Sequence, residues 1–92
     1  MGRQRLHIYY FGRVQGIGFR YSVKMLVRGY EVTGWIKNLP DGRVEIVAEG
    51  ERPELEAFAE AIRESELAAF IRQEDRQWGP ATHEFHGFEI LH

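Results

Sequence analysis

The stretch that decides the fold of this chain is residues 12–20, which read Gly12-Arg13-Val14-Gln15-Gly16-Ile17-Gly18-Phe19-Arg20. An apolar, aromatic run precedes it and a segment with helical spacing follows it, so the stretch is predicted to join a strand to a helix. Its glycines permit backbone conformations that a Cβ would forbid, and they let several N–H groups point toward one place. The first helical turn adds N–H groups without carbonyl partners and the positive end of the helix dipole. An arginine at that turn completes a small site suited to a phosphate group.

Composition limits the classes of function that remain. The chain has 92 residues, 43% of them apolar, and is predicted to form a single domain over residues 1–92. Its 12 basic and 14 acidic side chains give a net charge of −2, which disfavours nucleic acid and anionic membranes as partners. The chain has no cysteine, which excludes a disulfide framework, a thiolate zinc site and a cysteine nucleophile. With no long apolar run and no signal-peptide pattern, we expect a cytoplasmic monomer.

Apolar periodicity predicts strands over residues 5–11, 32–37, 43–49, 71–78 and 87–91. One helix is predicted over residues 20–28, and a second begins near Pro53 with an apolar face of Leu55, Phe58, Ala59 and Ile62. Pro40-Asp41-Gly42 predicts the turn of a hairpin whose second strand is half-buried, with Glu45 and Glu49 opposite the core. Residues 64–70 are predicted to be a connection, and Gly79-Pro80 is predicted to break the polar fourth strand, which suits a sheet edge.

This order of elements predicts an α+β fold. It is the ferredoxin-like βαββαβ sandwich, with two helices on one face of a four- to five-stranded, mainly antiparallel sheet. Because that fold hosts many functions, function has to be argued from the site.

Two side chains stand out as candidates for chemistry. Arg20 can give two parallel hydrogen bonds to two phosphate oxygens, although an arginine on a helix is more often a solvated surface residue. Its position directly after a glycine-rich loop favours the phosphate-binding interpretation. Asn38 ends the second strand, where asparagine often bonds to the local backbone. Its amide could equally donate to and accept from a water molecule without becoming charged.

The residues resemble those of the acylphosphatase family. The motif at 12–20, the run Gly34-Trp35-Ile36-Lys37-Asn38, the turn Pro40-Asp41-Gly42 and the closing Gly87-Phe88-Glu89-Ile90 are similar to that family over nearly the whole chain. The resemblance implies hydrolysis of acyl phosphates to carboxylate and inorganic phosphate, without a metal or organic cofactor. It also implies site roles: Arg20 would bind phosphate, Asn38 would orient the attacking water, and the main chain of Val14, Gln15, Gly16, Ile17, Gly18 and Phe19 would hold the phosphate.

Two other classes of function remain open. RNA-recognition modules share this element order, but their third strand contains aromatic residues where this one reads Arg43-Val44-Glu45-Ile46-Val47. A non-catalytic accessory domain is also possible, because acylphosphatase-like domains occur attached to larger enzymes. The pair His83 and His86 could bind a metal, but a solvated polar loop is the simpler interpretation.

Overall fold

The computed structural model describes residues 2–92 and contains a sheet with two α-helices. The strands are β1 (Arg3–Gly12), β2 (Thr33–Asn38), β3 (Val44–Glu51), β4 (Ile71–Pro80) and β5 (Phe88–Leu91). The α-helices are α1 (Phe19–Leu26) and α2 (Arg52–Arg63), and 3-10 turns cover Val27–Gly29 and Glu66–Phe70. Within the described residues, no helix is both long and apolar enough to cross a membrane.

The sheet has five strands in the order β4-β1-β3-β2-β5. Every neighbouring pair is antiparallel except β2 and β5, which run parallel. The predicted ferredoxin-like fold is confirmed, including the polar fourth strand at an edge of the sheet. The parallel pairing aligns Lys37 with Leu91, so β2 and β5 end at the same side of the molecule. That side is where the candidate site lies.

One hydrophobic core lies between the sheet and the helices. On the inner face of the central strands, Leu6, Ile8, Ile46 and Ala48 are fully buried. The predicted apolar face of α2 is confirmed, since all four of its residues are fully buried (Leu55, Phe58, Ala59 and Ile62). Burial at this scale supplies most of the free energy that holds a small domain together.

The structure corrects three details of the sequence prediction. The third strand is not half-buried, because every residue from Val44 to Gly50 is buried. On its outer face, His7 of β1 contacts Glu45, and Thr82 and His83 contact Glu49. Gly79-Pro80 does not break the fourth strand, which pairs with β1 as far as Pro80. A proline without an N–H is tolerated there because β4 is an edge strand. The first helix ends at Leu26, and its predicted last turn is a 3-10 turn.

The outer face of β3 is covered at one end by the segment of residues 81–87, which is anchored on Glu49. This carboxylate is fully buried and accepts hydrogen bonds from Arg5 Nε (2.9 Å), the Thr82 N–H (2.8 Å) and the His83 N–H (3.0 Å). Burial by itself would raise the pKa of Glu49, but these hydrogen bonds outweigh it and hold the pKa below its ordinary value. The ionised carboxylate therefore stabilises the packing of this segment on the sheet.

We predict that Glu49→Gln lowers the free energy of unfolding at pH 7 by about 1–3 kcal/mol, because the charge-assisted bonds are lost. The folded chain binds the Glu49 proton more weakly than the unfolded chain does. Its stabilising effect is therefore complete above the unfolded pKa, about 4.3, and is lost as pH falls through the lower folded value. The difference between wild type and variant should narrow in that acidic range when both are measured by urea denaturation.

Glu84→Gln is the matched control, since Glu84 is an exposed partner of the same Arg5. It should change stability by less than about 1 kcal/mol. Equal losses in the two variants, or a difference between wild type and Glu49→Gln that is independent of pH, would contradict the role given to Glu49.

Candidate active site

The loop between β1 and α1 has a backbone that requires glycine. At Gly12 φ is +132°, and a Cβ there would lie 2.4 Å from the Phe70 carbonyl oxygen. The same carbonyl accepts a hydrogen bond from the Arg13 N–H (3.0 Å), so the loop starts against the segment before β4. Gly16 and Gly18 both have φ of +79° in the left-handed region, with open space where a Cβ would be. Glycine is therefore required at these two positions by the backbone conformation, and not because a side chain would lack space.

Helix α1 begins immediately after the second of these glycines. Gly18 is its N-cap, and the first helical hydrogen bond runs from the Ser22 N–H to the Gly18 carbonyl (2.9 Å). The N–H groups of the turn before Ser22 consequently have no carbonyl partner within the helix. Phe19 anchors this end of the helix in the core, where the centroid of its ring lies 5.3 Å from that of the Tyr10 ring. The loop thus delivers unpaired N–H groups on a rigidly held helix terminus.

A cavity of about 210 Å³ opens at this helix terminus. Six of the eight predicted site residues line it, namely Val14, Gly16, Gly18, Phe19, Arg20 and Asn38. Three other residues complete the lining: Tyr21, Ile90 and His92. Gln15 and Ile17 are not in the lining, and their predicted main-chain role stays a prediction. The structure therefore brings Arg20 and Asn38, from different elements, to one concave site.

Arg20 is held by the end of β5. Its Nη1 donates to the Leu91 carbonyl oxygen (3.2 Å) and lies 3.5 Å from His92 Nδ1. A guanidinium has five N–H donors, and Nη1 supplies both of these contacts. The Nε and Nη2 edge is the one that can bind two oxygens of a phosphate side by side.

Asn38 is the last residue of β2, and its side-chain oxygen is buried. Within residues 2–92 that oxygen has no hydrogen-bond partner. A buried amide oxygen without a partner is unfavourable unless a water molecule or a ligand bonds to it. Because Asn38 also lines the cavity, this oxygen is suited to hold a water molecule there.

The side chain of Gln15 is bonded to the β2–β3 turn. Its Nε2 donates to the carbonyl oxygens of Leu39 (2.8 Å) and Arg43 (2.9 Å). The loop that precedes α1 is therefore bonded to the turn that follows Asn38.

Sequence reasoning missed the contribution of the C-terminal strand. Ile90 and His92 line the cavity, and the Leu91 carbonyl binds Arg20. Parallel strands end on the same side of a sheet, so a parallel pairing of β2 and β5 would have placed Asn38 beside His92. That pairing is a long-range feature, and no local motif at residues 88–92 indicates it.

Of the two loop histidines considered as metal ligands, His83 belongs to the segment anchored on Glu49. The His83 backbone N–H binds Glu49, and His83 itself has φ of +60°. In the part of the chain that the structure describes, no group of three or more His, Asp or Glu side chains is placed to hold a metal ion.

Comparison with known sequences identifies the family of the chain. The sequence model of the acylphosphatase family matches residues 6–90. The chain belongs to the acylphosphatase family. It is 44% identical over 88 residues to an acylphosphatase of Marinobacter nauticus, a match that covers 96% of each chain. Over 57 residues, 62% of this chain and 63% of the relative, it is 56% identical to an acylphosphatase of Bacillus velezensis.

Solved structures show the same similarity. The crystal structure of the acylphosphatase from Bacillus subtilis superposes with a TM-score of 0.88 at 36% identity, covering 97% of this chain and 99% of that one. Full-length HypF, in its phosphate- and nucleotide-bound form, matches with a TM-score of 0.85 at 28% identity. That match covers 98% of this chain but only 12% of HypF. This acylphosphatase fold therefore also occurs within a much longer chain.

We predict that Gly18→Ala destabilises the protein by about 1–2 kcal/mol, the cost of a left-handed backbone at a residue with a Cβ. It should also weaken the binding of inorganic phosphate, because relief of that strain shifts the loop. Gly18→Asn should lose less, since asparagine tolerates this conformation better. Urea denaturation and a phosphate titration followed by NMR measure the two effects.

Gly87→Ala is the control, because a Cβ at Gly87 also meets open space but the residue lacks a left-handed backbone. If Gly18→Ala and Gly87→Ala behave alike in both measurements, the backbone of Gly18 does not matter for the loop.

Proposed function

We propose that the cavity binds the phosphoryl group of an acyl phosphate and hydrolyses it without a metal ion. Acyl phosphate hydrolysis follows from the family, whereas the roles of individual residues are the proposal. The observation that supports them best is that Arg20 and Asn38, from α1 and β2, line one cavity with Gly16 and Gly18.

Binding of the phosphate combines main-chain N–H groups with one cation. The N–H groups of residues 14–19 and the start of α1 would bond to the phosphoryl oxygens, as expected of a glycine-rich loop before a helix. Arg20 would add its Nε and Nη2 donors, while its Nη1 stays on the Leu91 carbonyl. A guanidinium that is already oriented loses little freedom when the anion binds, which strengthens binding.

Asn38 would orient the attacking water. Its buried oxygen would accept a hydrogen bond from the water, and so direct a lone pair of the water oxygen at phosphorus. Holding water and phosphate in one geometry lowers the barrier by removing most of the entropy cost of their encounter.

The chemistry needs no strong acid or base. The water oxygen forms a bond to phosphorus, the bond from phosphorus to the acyl oxygen breaks, and the carboxylate leaves with the electron pair. A phosphoryl oxygen of the substrate takes the proton of the water, so the products are a carboxylate and inorganic phosphate. Negative charge on the phosphoryl oxygens is stabilised throughout by Arg20 and the N–H groups. No Asp or Glu side chain is among the described residues that line the cavity, in keeping with this scheme.

The proposal predicts different kinetic effects for two variants, measured as benzoyl phosphate hydrolysis in the presence of a chelator. Arg20→Gln should lose at least about 10²-fold in kcat/KM and also weaken the inhibition by inorganic phosphate, because it removes the charge that binds the anion. Asn38→Ala should lower kcat while inhibition by phosphate stays nearly unchanged, because it acts on the water.

The matched control is Arg28→Gln, an exposed arginine of the 3-10 turn after α1, which should behave as wild type. If Asn38→Ala loses phosphate affinity and keeps turnover, its assigned role is wrong. Loss of all activity in chelator would contradict the metal-free scheme.

We propose that the enzyme works as a monomer, since the residues given roles here, Arg20, Asn38 and the loop before α1, all belong to a single chain. The absence of nucleic-acid and membrane partners and the cytoplasmic location remain predictions from charge and composition.

A further inference from the structure

The side chain of Gln15 connects the two halves of the proposed active site. Residues 12–18 form the phosphate loop, and residues 38–43 contain Asn38 and the turn after it. Gln15 Nε2 donates to Leu39 O at 2.8 Å and to Arg43 O at 2.9 Å, across 24 and 28 residues of sequence. Within residues 2–92, no other side-chain hydrogen bond joins these two segments.

The two carbonyl groups that Gln15 binds are the ones that define the turn. Leu39 O also accepts from the Gly42 N–H (3.1 Å), and Arg43 O also accepts from the Leu39 N–H (2.8 Å). A carbonyl oxygen has two lone pairs, so Gln15 uses the second acceptor position of each. Its amide therefore fixes a turn that is already closed by its own backbone bonds, and it does so one residue after Asn38.

Asn38 depends on this backbone for its position. Its side-chain oxygen has no partner of its own among the described residues, so no side-chain bond at that oxygen fixes its direction. The direction then follows from the end of β2 and from the turn that Gln15 holds.

We propose that Gln15 is a positioning residue, whose side chain sets the distance between the bound phosphate and the water on Asn38. This role rests on the proposed function. It assigns Gln15 two tasks: its main chain belongs to the phosphate loop, and its side chain aligns the opposite wall. A change of about 1 Å in the placement of a reacting group can cost about 10²-fold in rate, whereas phosphate binding by the loop needs no contact with Asn38.

The test is a double-mutant cycle in benzoyl phosphate hydrolysis. Gln15→Met keeps the length of the side chain and removes both donated bonds. It should lower kcat by about 10–100-fold, with inhibition by inorganic phosphate nearly unchanged. In an Asn38→Ala background the same substitution should change kcat by less than about twofold, because Gln15 acts through Asn38. Gln77→Met, at an exposed glutamine of β4, is the control and should match wild type.

Three results would overturn the proposal. The first is a wild-type kcat in Gln15→Met. The second is an equal loss in both backgrounds, and the third is a parallel loss of phosphate affinity, which would place Gln15 in the loop alone. If Gln15→Met does not fold, Gln15→Asn serves instead, since its amide is one methylene too short to reach both carbonyls.

Failure of the proposed function is distinguishable from failure of this inference. If wild type shows no hydrolysis, NMR of the Asn38 side-chain amide still reports on the connection. Gln15→Met should then shift that signal by much more than Gln77→Met does. Equal shifts in the two variants would show that Gln15 does not position Asn38.

Discussion

The loop before α1 depends on two residues with left-handed backbone, Gly16 and Gly18. Without them the chain could not pass from β1 into a helix that begins at the cavity. Phe19 then fixes that helix end by burial against Tyr10, so the conformation of the loop is connected directly to the core. The proposed site binds an anion mostly through main-chain N–H groups, and such a site can be only as rigid as this backbone.

The cavity is completed by elements that are far apart in sequence. Arg20 comes from α1 but is oriented by the Leu91 carbonyl of β5, and Asn38 comes from β2. The parallel pairing of β2 and β5 is what brings these ends together. Gln15 adds the remaining connection, from the loop to the turn after Asn38. In this way a small domain builds a preorganised site from single residues on several elements.

Much of this could be predicted from the sequence, and the limit has a physical cause. The order of elements and the motif at 12–20 follow from local periodicity and glycine spacing, so the fold and the approximate place of Arg20 could be predicted. That Arg20 and Asn38 line one cavity could not be predicted, because it depends on how distant strands pair. Burial of Glu49 was missed for a similar reason: alternation predicts a solvent-facing carboxylate, but residues 81–87 fold over that face. The hydrogen bonds of the Gln15 side chain could not be predicted, because they join residues 24 and 28 positions apart in the sequence.

The central claim is that main-chain N–H groups and one guanidinium together bind a phosphoryl group. A crystal structure of the protein grown with inorganic phosphate tests it most directly. The account predicts a tetrahedral anion in the cavity, within hydrogen-bond distance of N–H groups of residues 14–19 and of the Nε and Nη2 atoms of Arg20. In that complex Nη1 should still contact the Leu91 carbonyl. An empty cavity at saturating phosphate, or an anion bound elsewhere with Arg20 turned away, would contradict the account.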